Sequence, residues 1–368
     1  MAALLLVPLG LLGAAHEAAT PVRIGAVRWD GCGAMPFGWN NGNGVAAFCS
    51  QRLSLPPYQY RMPFYARPDG GGNIAVNETK GDVAQEIAFA TQAGLAFFAF
   101  VMYEPGTGLG AALQWFRELS KAGKSRGMKW CMILESNDLA PPGGHGNAGS
   151  MELWLDYVQD ANYLTVGPDA RPLIHIFGLH AVQSAEVYRN FSQQVKARLG
   201  VAPYWAGMAN PATVNQTVPV DAVSSYTLFP KQNGGKYASL ADAEAASWEA
   251  AAQSGLHTIP TVTPNMDPRP MFELPNGTYS ACGWCNCNPS TYMAGCHLPL
   301  GSGGCGTGNC STPEHWAQSP LPGQTATHTA AMLAFLRRNA NNGVAPHQLG
   351  MIVRRSFFPD LRARVPLT

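Results

Sequence analysis

The chain has 368 residues, 46% of them hydrophobic and only 13% charged, with a formal net charge of +1 at pH 7. That length admits one large domain or two ordinary ones, and the composition excludes a chain disordered as a whole. Near-neutral charge without a basic run argues against nucleic acid or an anionic membrane surface as partner, and suits a neutral polar ligand such as a glycan.

Residues 1–19 are apolar up to Ala15, too short to span a bilayer, and end in small residues. They read as a secretory signal. Pro8 and an n-region without Lys or Arg fit a buried N-terminal segment instead. No later stretch is long and apolar enough for a membrane span. Sequons at Asn77, Asn190, Asn215, Asn276 and Asn309 accord with export, so a secreted protein is expected.

The first strand is expected from Val22 to Trp29, followed by a loop-like stretch from Gly31 to Gly81 rich in Gly, Pro, Asn and aromatic residues. Asp82 then reads as an N-cap with Gln85 as its reciprocal partner, Val83, Ile87 and Ala90 make an apolar stripe, and Gly94 ends the helix. The run from Leu95 to Tyr103 is apolar throughout, as a strand covered on both faces is. A helix from Leu109 to Ser125 carries Leu113, Phe116 and Leu119 at helical spacing, with Lys121 and Lys124 near its end, where the dipole favours cations. A second apolar strand runs from Lys129 to Leu134 and delivers Glu135, Ser136, Asn137 and Asp138. Strands joined through such a helix run parallel with a right-handed crossover.

Further helices are expected at 152–164, 184–199, 240–254 and 325–339, and further strands at 171–177, 202–208, 222–229, 257–263 and 349–353. Eight strands alternating with helices predict an α/β fold, a (β/α)8 TIM barrel spanning residues 20–353, with an open doubly wound sheet as runner-up. No glycine-rich phosphate loop follows the first strand, which weakens a nucleotide site. Residues 268–320 read as a cysteine-rich insertion holding Cys282, Cys285, Cys287, Cys296, Cys305 and Cys310. In an exported chain these are disulfides; zinc, through Cys282, Cys285 and His297, is the competing reading. Cys131, within an apolar strand, is expected to be a buried free thiol.

The succession EIAFATQAGLAFFAFVMYEPG, SRGMKWCMILES, MELWLDYVQDANYLTVGPDARPLIHIFG and TATHTAAMLAFLRRNA is similar to the glycoside hydrolase family 71 and 99-like barrels. These include endo-acting α-mannosidases and α-glucanases. The resemblance implies a TIM barrel and a carbohydrate substrate. It also implies a catalytic pair on the last strand, Asn-Glu with a second Glu three residues on. This chain departs from that pattern: Met351 to Asp360 contains no glutamate, and the tail 354–368 is basic and unlike the rest. The family's catalytic pair therefore carries over to no residue here.

Glycoside hydrolysis needs two carboxyl groups flanking the bond, one of them protonated. By strand-end position the catalytic candidates are Glu135 and Glu104, with Glu135 favoured because a half-dry setting raises a carboxyl pKa. Asp30, Trp29, Tyr103, Asp138, His175, Trp205, Asn210, Tyr226 and Asp267 are the substrate-binding candidates, the carboxylates for sugar hydroxyls and the aromatics for sugar faces. A nucleophile-elbow serine and a His-Glu-x-x-His pair are both missing, so no metal and no cofactor is expected. The alternative to an enzyme is a carbohydrate-binding or interaction protein that keeps the barrel without the chemistry.

Overall fold

The computed structural model describes residues 21–29, 50, 53–56, 59, 62–103, 105–106, 108, 110–135, 138–139, 151–177, 185–209, 219–226, 237–263 and 324–355. The expected signal at 1–19, the expected cysteine-rich insertion at 268–320, every cysteine other than Cys131 and residues 356–368 lie outside these residues. In chain order come β1 (Arg23–Trp29), β2 (Arg67–Pro68), β3 (Ile74–Ala75), α1 (Lys80–Gln92), β4 (Phe97–Val101), α2 (Ala111–Lys121), β5 (Lys129–Glu135), α3 (Met151–Tyr157) and β6 (Thr165–Val166). Then follow β7 (Arg171–Phe177), α4 (Ala185–Leu199), β8 (Tyr204–Met208), β9 (Ala222–Ser224), α5 (Tyr237–Gln253), β10 (His257–Ile259), β11 (Thr261–Val262), α6 (Gln324–Arg338) and β12 (Leu349–Arg355).

The main sheet is a parallel path β10-β9-β8-β7-β5-β4-β1-β12-β11. Its two ends are one segment. β10 and β11 are halves of the expected 257–263 strand, divided at Pro260, whose missing N–H removes a ladder donor. The Pro260 carbonyl still accepts the Met351 N–H at 2.9 Å. The path therefore returns on itself as a ring of eight strands in sequence order.

The register gives the ring's stagger. From Val101 it leads through Ile133, His175, Ala206 and Ala222 to His257. From Thr261, four residues further along that segment, it leads through Met351 and Gly25 to Phe97, four residues short of the start. The stagger of eight residues over eight strands is the relation that closes a (β/α)8 barrel.

Paired residues in parallel strands share a face, so one indicator fixes each layer. Phe98 and Phe100 pack edge-on against Phe116 of α2, which turns them outward. Phe97, Ala99 and Val101 therefore line the interior, as do Gly25, Val27 and Trp29 on β1. A Cβ at Gly25 would lie 2.3 Å from the Phe97 ring, so glycine leaves the room that this ring needs in the interior. Outward from β1, Arg28 is buried with two carboxylates, donating to Glu78 Oε1 at 2.6 Å and to Glu86 Oε2 at 2.8 and 3.0 Å. This ties β1 to α1.

Two boundary expectations change. The N-cap of α1 is Thr79, and Asp82 is the reciprocal N3 partner, with the Asp82 N–H donating to the Thr79 hydroxyl and the Thr79 N–H to Asp82. Asp82 can play either part, and Thr79 supplies the extended backbone a cap requires. Gly94 stops α1 as expected, at φ +80°, with Leu95 N–H reaching Ala90 O and Gly94 N–H reaching Thr91 O. The helix expected at 152–164 ends at Tyr157. Asp160 turns the chain by accepting the Asn162 N–H at 2.9 Å, and Tyr163 then lies against β5, its hydroxyl donating to Leu173 O. Cys131 is a buried free thiol, and burial pushes its pKa up.

Candidate active site

The carboxyl ends of the parallel strands meet at one rim, where side chains can converge on a ligand. Glu135 is the last residue of β5 and lies on the interior face with Cys131 and Ile133. Its side chain is half-buried, and loss of solvent raises its pKa. Its register partner on β7 is Phe177, which is 38% exposed despite its apolar ring. Phe177 stacks on Tyr226, which follows β9, with centroids 4.7 Å apart and planes tilted by 48°. On the other flank Trp29, at the end of β1, donates its indole N–H to the Tyr103 hydroxyl. The mouth thus sets a half-dry carboxyl on a strand next to that of Phe177, with Tyr103, just past the neighbouring β4, and Trp29, on β1, on the other side.

Asp138 is not at the surface. Its side chain is 1% exposed, behind the strand end. Its Oδ2 accepts the Glu135 backbone N–H at 2.7 Å, and its own N–H donates back to the Glu135 carbonyl at 3.0 Å. The indole N–H of buried Trp154 donates to the Asp138 carbonyl at 3.2 Å. Among the described residues Oδ1 has no hydrogen-bond partner. Burial, and secondly the nearby Glu135 charge, push the Asp138 pKa up to about 7, against the opposing Glu135 N–H.

Two binding candidates sit elsewhere. His175 does face the interior, but at 0% exposure, one step below Phe177 along β7, closed off from a ligand at the rim. Neither of its ring nitrogens has a hydrogen-bond partner, and burial lowers its pKa to about 3, so the ring is neutral. Trp205 faces outward: it packs on Tyr188 and Phe191 of α4, and its N–H donates to Ser192 Oγ at 2.9 Å. The reason is parity, because Tyr204, Ala206 and Met208 take the interior positions of β8. Glu104, Asp30, Asn210 and Asp267 lie outside the described residues.

Sequence reasoning passed over two residues at this end. Phe177 had a signal: it ends its strand two residues after His175 and so shares its face. Glu244 of α5 had none; it is fully buried, accepts the Thr263 backbone N–H just beyond β11, and meets His328 of α6 at 3.2 Å. On β12 the register pairs Arg355 with Trp29. Among the described residues no group of three or more His, Cys, Asp or Glu side chains is placed to hold a metal, and no helix is long and apolar enough to cross a membrane.

No family model matches the chain, and no curated protein does. Several solved structures share features with it at low identity. The GH99 endo-α-mannosidase from Bacteroides thetaiotaomicron is 13% identical, with TM-score 0.35 over 56% of this chain and 59% of that one. A GH29 α-L-fucosidase from the same organism is 12% identical, with TM-score 0.38 over 93% and 69%. The endo-1,4-β-mannanase from Rhizomucor miehei is 11% identical, with TM-score 0.31 over 52% and 74%. The chain thus spans under two thirds of the length of that endo-α-mannosidase.

Proposed function

We propose that this protein is a secreted, glycoside-hydrolase-like barrel that takes an α-linked glycan at its mouth and cleaves it by paired-carboxylate chemistry. One observation supports the reading above the others: Glu135, half-buried at the end of β5, stands beside exposed Phe177, whose ring packs on half-buried Tyr226. Sugars present apolar C–H faces and a rim of hydroxyls, so a ring platform next to a carboxyl matches them. In hydrolysis one carboxyl protonates the departing glycosidic oxygen, and the other either attacks the anomeric carbon or activates the water that does. Glu135 supplies one carboxyl and Glu104, which follows β4 by three residues, is the candidate for the other. The α linkage and the export route rest on the family resemblance and on the leader and sequons, respectively.

A second reading keeps the glycan and drops the cleavage. It is favoured by the last strand, which ends in Arg354 and Arg355, and by the stretch Met351 to Asp360, which contains no glutamate. Incubating the protein with α-mannan and α-glucan oligosaccharides, and separating the products by chromatography, distinguishes the two. Cleavage that disappears in Glu135→Gln supports the enzyme. Intact oligosaccharide that nonetheless binds supports the second reading, and neither binding nor cleavage removes both.

A further inference from the structure

A hydrogen-bonded turn ties the backbone of Glu135 to another carboxyl, that of Asp138. The Glu135–Asp138 turn is held by two reciprocal hydrogen bonds and by the Trp154 indole. The turn itself requires only one acceptor oxygen at position 138, which an amide side chain would supply as well. The residue present is ionisable, is 1% exposed, and leaves its second oxygen unpartnered. No Lys, Arg or His among the described residues forms an ion pair with either carboxyl. Among the described residues, the titratable groups that face Asp138 are Glu135 from the same turn and Tyr188 from α4, neither of them a cation.

We infer that Glu135 and Asp138 titrate as one coupled pair, in which buried Asp138 keeps its proton and Glu135 is the member that shows a negative charge to the mouth. Two like charges across one turn in a poorly solvated setting do not both ionise readily, so the pair releases its protons in two steps. The first leaves from the better solvated member, Glu135. The second stays on Asp138, whose unpartnered oxygen cannot be stabilised as an anion. This deepens the hydrolase reading and rests on it for its chemical meaning. Glu135 becomes the ionised carboxyl that attacks or activates water, and the leaving-group proton must come from another residue. Asp138 touches no substrate; it is a positioning residue that acts through Glu135.

The test is a carboxyl titration of the full chain, with 13C label in the Asp and Glu side-chain carboxyls, read by NMR without any sugar. The wild type is expected to show the Asp138 signal moving last, near neutral pH. Glu135→Gln, which keeps the backbone N–H that Asp138 accepts, shifts the Asp138 midpoint to lower pH because the neighbouring charge is gone. Asp138→Asn, which keeps the acceptor, leaves Glu135 titrating in one step and abolishes the late one. Circular dichroism verifies that both variants are folded, and Asp138→Ser stands in if the amide variant is not. An Asp138 midpoint unmoved by Glu135→Gln, or a Glu135 signal that titrates after Asp138, overturns the pair. Failure to cleave or bind glycans would instead strike the hydrolase reading and leave these titrations as they are.

Discussion

Replacing Arg28 by methionine probes the joint between the barrel and its first helix. Arg28 is 7% exposed, and its two partners Glu78 and Glu86 are 2% and 3% exposed, so all three charges are out of water. Its hydrogen bonds to them span 2.6 to 3.0 Å, and the guanidinium also lies 5.5 Å from the centre of the Phe100 ring. Methionine retains the apolar stem against that ring, so the change isolates the charge. Breaking a buried ion pair from one side costs about 3–5 kcal/mol, and here one cation serves two carboxylates, which puts the expected loss near the top of that range. That is a large part of the 5–15 kcal/mol typical of folded domains. Equilibrium urea unfolding at pH 7, followed by tryptophan fluorescence and circular dichroism, measures it. The gap to wild type should narrow at pH 5, because buried carboxyls that lose a neighbouring cation are more easily protonated. Replacing all three residues together by Met, Leu and Leu should restore most of the loss. A loss below about 1 kcal/mol for Arg28→Met would refute the reasoning.

Gly25→Ala drives a methyl group to within 2.3 Å of the Phe97 ring, so thermal unfolding should show a loss of about 1–3 kcal/mol. Adding Phe97→Leu should recover part of it. At the opposite end of the barrel, burial and the neighbouring His257, Arg23 and Arg171 hold His347 at about 4, against a smaller opposing effect of Asp221. A lowered histidine pKa means the unfolded chain binds the proton more tightly, so stability present above pH 6.5 is lost as pH falls toward 4. His347→Gln should flatten that acid limb of the pH–stability curve. Asp138 has the opposite sign: its raised pKa makes stability fall as pH rises from about 4 to about 7. Asp138→Asn should remove that decline, whose ceiling is about 4 kcal/mol.

Much of the fold was legible because each barrel strand is an apolar run bounded by turn residues, as 97–101 and 129–135 show. Closure was foreseen from the count of strands, but the break at Pro260 shows only in the ladder, where a missing donor divides one strand in two. Long-range polar contacts were illegible: Arg28 meets Glu78 and Glu86 across 50 and 58 residues, and no local pattern connects them. At the mouth, Glu135 follows from a strand-end position, while the inward or outward sense of Trp205 depends on register with β7. Nearness to a strand end was therefore too coarse a criterion for aromatics. Phe177 ends β7 on the interior face, whereas Trp205 lies three residues before the end of β8 and on the opposite face, under α4.

The sugar platform is tested most directly by calorimetric titration of α-mannan and α-glucan oligosaccharides into the wild type, Phe177→Ala and Trp205→Phe. Loss of one stacking ring is worth about 0.5–1.5 kcal/mol, so Phe177→Ala should weaken binding about two- to twelve-fold, and the outward Trp205→Phe should leave it unchanged. Equal affinities in all three proteins, or no binding to the wild type, would contradict a glycan held at this mouth.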